Sequence, residues 1–254
     1  MGFFRLLLLK HYFLIITSQL IANHMTEDVY GKALHDFYTH GHADELILHT
    51  SYGDIESMPI DWFFRDEEDF PELERIALGN ARGSTLDMGS GTGSHAVYLH
   101  EQGIDVWAMD SSLYCVHIMQ QRGLTQVKHQ SLWDPDHQRY DTILMLMNGI
   151  GLVGDLEGLS HFLEMAKSSL RPGGSILFDS SDLSYLYPDQ DIMQHPDLGE
   201  IQYQYEYQGI RGDAFSWLYI DFTSMLKMAQ AAGWRVRLLY EDPHAQYLAS
   251  LSLY

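Results

Sequence analysis

The apolar positions change period along the chain. The stretches "STLDMG" (84–89), "IDVWAMD" (104–110), "QVKHQSLW" (126–133), "YDTILMLMNG" (140–149) and "SILFDSS" (175–181) are short runs of strand length. "YDTILMLMNG" is almost continuously apolar, as in a strand covered on both faces, and "STLDMG" reads as buried too. Between them the period shifts to three or four residues. "SHAVYLHEQG" (94–103) sets Ala96, Val97, Leu99 and His100 at helical spacing and ends on Gly103. "SLYCVHIMQQRG" ends on Gly123, and "DLEGLSHFLEMAKSSLRPGG" aligns Leu156, Leu159, Phe162, Leu163 and Ala166 on one side. Glycine just past a periodic run is a helix-stop signal, and Arg-Pro-Gly-Gly after Leu170 predicts a turn. Upstream, Pro71 suits the first turn of a helix over 71–80, with Gly79 or Asn80 to stop it. Downstream, "FSWLYI", a helix over 222–233, "WRVRLLYE" and "YLASLSL" complete the pattern. The last two strands are joined by the short "DPHAQ", a connection only an antiparallel pair can use.

Strands alternating with helices predict an α/β fold: a Rossmann-like, seven-stranded, mostly parallel sheet with an antiparallel last strand and helices on both faces. Residues 26–50 read as one or two helices, and "SYGDIESMPIDWFFRDEEDFP" (51–71) as an aromatic-rich loop. "IQYQYEYQG" (201–209) alternates strictly and reads as a strand with Tyr203, Tyr205 and Tyr207 on one face. An ordinary exposed β-ribbon is its plainer reading; a pocket wall is the other.

Residues 1–24 form an apolar leader broken by Arg5, Lys10 and His11, so no unbroken run reaches the ~18 residues a membrane span needs. An overlong start with Met25 as the true one, a signal or anchor, and a packing helix all remain open for it. The organisation expected is this leader, a cap segment over 25–70, and one domain over 71–254 with an insertion around 181–215. The chain has 254 residues, 46% of them hydrophobic, enough for one substantial core. Thirty-five acidic residues face 15 Lys and Arg, a formal charge of −20. Such a field repels nucleic-acid backbones and anionic membranes, which makes nucleic acid a poor substrate. The single cysteine, Cys115, excludes an intrachain disulfide and fits a cytoplasmic protein and a core position. His40 and His42 lie two apart without companion acids, so no metal site is expected there. His195 and His244 sit in loops with nothing to single them out.

The chemistry concentrates in "TLDMGSGTG" (85–93). A strand entering a glycine turn and then a helix aims backbone N–H groups at a ligand. Asp110, ending the next strand, is placed to accept the hydroxyls of a ribose. The glycines fall at Gly89, Gly91 and Gly93, a G-x-G-x-G spacing with Asp87 two residues upstream, rather than the G-x-G-x-x-G of nicotinamide-binding folds. This resembles the class I S-adenosylmethionine-dependent methyltransferases. "YDTILMLMNGIG", "LRPGGSILFD", "AAGW" and the closing hairpin extend the resemblance over about 71–254. It implies S-adenosyl-L-methionine as methyl donor. It also implies that Gly89, Ser90, Gly91 and Gly93 pass under the methionine part and ribose, with Asp87 near the donor's amino group. Asp110 and Ser111 would hold the ribose, and Ser131 and Leu132 would border adenine. Met147 and Asn148 would lie where donor meets acceptor. Many members carry an acid where Ser131 stands, and Ser131 would equally serve as a strand cap and Met147 as core filler.

Methyl transfer needs a positioned nucleophile more than a catalytic triad. No catalytic residue is named by the sequence. Acceptor-pocket candidates are Asn148, Tyr52, Trp62, Phe63, Asp179 and Tyr185, with Arg65 placed to pair with an anionic group. Packing of the 52–65 aromatics on the sheet is the alternative. Gly149 after Asn148 departs from the signature of enzymes that methylate planar amides. The acceptor expected is a small molecule. A protein acceptor, or a non-catalytic donor-binding module, is the runner-up.

Overall fold

The computed structural model describes residues 28–187 and 196–254. The leader, Met25 and His195 lie outside the described residues. Chain order gives α1 (Val29–His40), β1 (Leu46–Thr50), β2 (Ile55–Met58), α2 (Glu72–Asn80), β3 (Ser84–Met88), α3 (Ser94–Glu101), β4 (Asp105–Asp110), α4 (Leu113–Gln121) and β5 (Val127–His129). There follow β6 (Tyr140–Met145), α5 (Leu156–Met165), β7 (Leu170–Ser181), β8 (Glu200–Tyr207), β9 (Ile210–Leu218), α6 (Phe222–Ala231), β10 (Trp234–Glu241) and β11 (Gln246–Leu253).

Seven strands form one sheet in the order β10-β11-β7-β6-β3-β4-β5. β3, β4, β5, β6 and β7 run parallel, and β11 lies antiparallel between β7 and β10. Helices cover both faces, which is why β3 is buried at every position and β6 at all but one. One face packs Ile143, Phe162, Phe178 and the fully buried Trp234, whose Nε1 donates to Leu163 O at 2.8 Å. The other packs Leu73, Leu99, Val106, Met119 and Leu248. Four of these six helices start where short polar side chains accept orphan backbone N–H groups: Asp28 from Gly31, Ser112 from Cys115, Asp155 from Gly158 and Asp221 from Ser224.

A second, four-stranded antiparallel sheet of order β2-β1-β8-β9 corrects three expectations. Residues 46–50 form a strand, not a helix. The 51–71 loop contains β2 and two short 3-10 turns. "IQYQYEYQG" is not an exposed ribbon: β8 pairs with β1 on one edge and β9 on the other, and Tyr203 and Tyr207 are buried. Tertiary pairing decides these cases, because β1 is held between β2 and β8. Two smaller differences concern strand ends. β5 covers only Val127–His129, since Asp134 Oδ2 accepts from Ser131 N at 2.7 Å and turns the chain. The Arg-Pro-Gly-Gly segment lies within β7 as a bulge, Tyr140 facing Leu170 but Thr142 facing Ser175.

Candidate donor and acceptor site at the C-terminal ends of β3, β4, β6 and β7

The loop after β3 turns on three left-handed glycines, Gly89, Gly91 and Gly93, with φ of 73°, 55° and 83°. Only glycine takes such angles without strain. A Cβ at Gly89 would also stand 2.6 Å from Leu152 Cδ1. The loop is tied to β4: Gly89 N and Ser90 N donate to Met109 O at 2.8 and 3.0 Å. Ser90 Oγ donates to Asp87 O at 2.7 Å and accepts from Met109 N at 3.1 Å.

Asp110 ends β4 with both carboxylate oxygens engaged, Oδ2 by Gly91 N and Oδ1 by Ser112 N, each at 2.8 Å. Burial pushes its carboxyl up to about 6, against the pull of those two N–H groups. Asp87 is 2% exposed, and its Oδ2 is buried with no hydrogen-bond partner. Burial raises its carboxyl as well. An unpartnered carboxylate oxygen at the edge of a glycine loop leaves an acceptor that a cationic ligand group can complete. Ser111 O accepts from His129 Nε2 at 3.0 Å. Ser131 Oγ accepts from Trp133 N at 3.3 Å, as a turn cap would, and Leu132 is buried in the core.

β6 ends in a rarer turn. Met147 and Asn148 are both left-handed, with φ of 64° and 55°. Conformations of this kind in non-glycine residues cost about 1–3 kcal/mol each and persist only where the surroundings fix them. Asp179 at the end of β7 does so. It accepts from Asn148 N at 2.9 Å, Gly149 N at 3.3 Å and Gln246 Nε2 at 2.8 Å. Ser181 Oγ donates to Asn148 Oδ1 at 2.8 Å. Asp179 is fully buried, and burial pushes its carboxyl up to about 6. It therefore holds the Met147–Asn148 turn rather than facing an acceptor.

The cap covers this edge. Tyr30 on α1 lies over the loop, its hydroxyl 3.5 Å from the place a Cβ at Gly91 would take. Its ring meets Phe63 edge-on at 5.3 Å and stacks on Tyr205 at 5.1 Å. Tyr205 stacks on Phe215 at 5.4 Å, and Phe215 meets Trp217 at 6.3 Å. A Cβ at Gly151 would lie 2.0 Å from Trp217 Nε1, so the arc of rings runs from the glycine loop to the turn after β6. Phe63 belongs to this arc, and its carbonyl accepts from Thr92 Oγ1 and Ser94 Oγ. The other candidates stand apart. Trp62 and Tyr185 are 59% and 69% exposed. Tyr52 is half-exposed and donates to Glu56 Oε1 at 3.0 Å.

Arg65 is not available to an anionic group: its Nη2 donates to Glu74 Oε1 at 2.8 Å. Glu74 Oε2 meets His95 Nε2 at 2.8 Å. Burial alone would lower the His95 pKa, but Glu74 and the nearby Asp87 carboxylate raise it above the usual imidazole value. Burial likewise opposes ionisation of Glu74, and His95 and Arg65 bring it below the ordinary carboxylate value. This buried pair and Tyr30 had no motif to announce them. The one hint of α1's role is Gly31, a glycine inside a helix, where a Cβ would stand 2.2 Å from Ser112 Oγ.

Residues 62–239 match the methyltransferase-domain family. The chain belongs to that family. It is a class I S-adenosylmethionine-dependent methyltransferase. It is 28% identical over 200 residues to glycine/sarcosine N-methyltransferase from Halorhodospira halochloris, covering 68% of this chain and 70% of that one. The structure of a SAM-dependent methyltransferase from Bacteroides fragilis in complex with S-adenosyl-L-homocysteine is 41% identical, with a TM-score of 0.83 over 89% of this chain and 95% of that one. The glycopeptide N-methyltransferase MtfA complexed with S-adenosyl-L-methionine shares the fold at 12% identity, with a TM-score of 0.52 over 75% of this methyltransferase and 96% of MtfA. Among the described residues no helix is long and apolar enough to cross a membrane.

Proposed function

We propose that this methyltransferase acts on a small-molecule acceptor, with the donor bound across the loop after β3 and the acceptor beneath the cap. The carrying observation is the unpartnered, buried Oδ2 of Asp87 beside a left-handed glycine loop that Asp110 anchors. S-adenosylmethionine supplies an electrophilic methyl group on a sulfonium. The residues of this chain position and enclose it. Asp87 accepts from the donor's ammonium, and Gly89, Ser90, Gly91 and Gly93 allow close approach of its methionine part and ribose. Asp110 uses its remaining lone pairs for the ribose hydroxyls, with Ser111 beside it. Ser131 and Leu132 border the adenine, and Met147 and Asn148 mark the junction with the acceptor. The Tyr30–Phe63–Tyr205 arc excludes water from that junction. The glycine/sarcosine N-methyltransferase relative supports a small acceptor and a nitrogen as the atom methylated.

Calorimetric titration with S-adenosylmethionine, S-adenosylhomocysteine and NADH tests the donor site. Binding of the first two without NADH is expected. Tighter binding of NADH sinks the assignment. Labelled donor incubated with a metabolite extract is expected to give a labelled product of low mass, and label found only in protein would overturn the small-molecule reading.

A further inference from the structure

The acid excess of this protein is not spread evenly. The segments 25–64 and 181–221, whose described residues build the cap, hold 16 Asp and Glu against Lys32 and Arg211 alone. The rest of the chain holds 19 acids and 13 Lys and Arg, a much milder excess. A general acidification of the surface would not divide the charge in this way. Both cap cations are held: Lys32 by Asp36, and Arg211 by Glu206 at 2.9 Å. Arg65, just beyond, is held by Glu74.

The inner face of the cap is aromatic. From Tyr205 the rings lead outward through Phe215 to Tyr203, at 5.9 Å. Tyr203 Oη lies 3.1 Å from Tyr219 Oη, and Glu56, bonded by Tyr52, stands near enough to raise both phenols. Burial is the larger cause of those raised phenols, so they remain neutral donors and acceptors across the physiological range. Aromatic faces and phenolic oxygens attract cations, and a carboxylate at their outer end adds to that attraction. Among the described residues of the cap, no Lys or Arg beyond these two paired ones stands ready to neutralise a carboxylate or phosphate.

Resting on the methyltransferase reading above, we propose that the acceptor is a primary or secondary amine with an apolar or aromatic body, cationic in solution and bearing no carboxylate or phosphate. The field of the cap draws the ammonium form in, and the amine reacts after losing one proton to solvent. Its lone pair forms the N–C bond as the S–C bond breaks. The sulfonium leaves as a thioether, and the second proton carried by the methylated nitrogen passes to solvent. This parts the chain from its relative that acts on glycine and sarcosine, whose acceptors carry a carboxylate.

The test uses the full chain. Affinity for S-adenosylhomocysteine is measured first by calorimetry, and methyl transfer to phenethylamine, tyramine, glycine and sarcosine is then followed by S-adenosylhomocysteine release. At least one arylalkylamine is expected to exceed glycine and sarcosine about tenfold or more in kcat/KM, with the advantage shrinking as salt is raised. Glu56→Gln is expected to raise the amine KM about threefold and leave S-adenosylhomocysteine affinity unchanged, since it removes one exposed charge and no packing. Equal or faster turnover of glycine or sarcosine overturns the proposal. So does absence of turnover of both amines in a protein that binds S-adenosylhomocysteine normally. If S-adenosylhomocysteine itself fails to bind, the donor-site reading falls first and takes this proposal with it.

Discussion

Asp110 and Asp179 do similar work at the two halves of the site. Each is a carboxylate, Asp179 fully and Asp110 partly buried, whose oxygens receive backbone N–H groups and thereby fix a left-handed turn. Asp110→Ala is expected to weaken S-adenosylhomocysteine binding about tenfold or more, since a charge-assisted hydrogen bond is worth about 1.5–3 kcal/mol. Calorimetry reads the loss directly, and unchanged affinity removes the ribose role. Asp179→Ala leaves Asn148 N and Gly149 N without their acceptor and frees a strained turn. The thermal midpoint is expected to fall by several degrees, and kcat to fall more than donor affinity. A variant with full kcat would show that the turn does not set the junction. The sequence placed Asp179 correctly at a strand end, but the side chain's direction depends on Gln246, brought beside it by β11.

At the scale of elements, the strands and helices of the large sheet were legible because each carries its own period and its own stop signals. The glycine loop and Asp110 were legible for the same reason: the motif is local and its spacing is chemical. The cap was not. β1 and β2 are short, and only β8, more than 140 residues away, completes their faces. Tyr30, on a helix whose partners are α4 and β8, was hidden for that reason. Gly151 shows how tightly cap and sheet are joined. Gly151→Ala places a methyl group against the Trp217 indole, and overpacking of this kind costs about 1–3 kcal/mol. Tryptophan fluorescence is expected to shift, with a thermal midpoint lower by several degrees. A variant identical to the parent in both would mean that Trp217 does not seat the cap.

For the whole molecule, the raised carboxyls of the site make stability fall as pH rises, and the lowered Glu74 opposes them only at more acid pH. The carboxyls of Asp110 and Asp179 stand near 6 in the fold, above their ordinary unfolded value, and Asp87 is raised too. The folded state therefore binds more protons than the unfolded state between about pH 4 and pH 6. Stability is lost as pH rises through that window, and the raised His95 continues the loss above the ordinary imidazole value. Denaturant melts of the ligand-free protein are expected to show lower stability at pH 7.5 than at pH 5. S-adenosylhomocysteine is expected to narrow the difference by giving Asp87 and Asp110 partners. Greater stability at pH 7.5 without ligand would mean that the buried carboxylates do not govern this range.

The small sheet also fixes an order of events during synthesis. The glycine loop and Asp110, which anchors it, lie between 87 and 110, so that part of the donor site can assemble early in synthesis, whereas the Met147–Asn148 turn waits for Asp179. β1 can pair early with β2, but its other edge waits far longer, because β8 ends at Tyr207 and the neighbouring β9 at Leu218. Closing so long a loop is entropically slow relative to the local pairings of β3, β4 and β6. The nascent chain thus passes through a stage with an assembled donor loop and an uncovered acceptor side. The aromatic face of α1 is then exposed to whatever surrounds it, and that stage is where a chaperone would find its target.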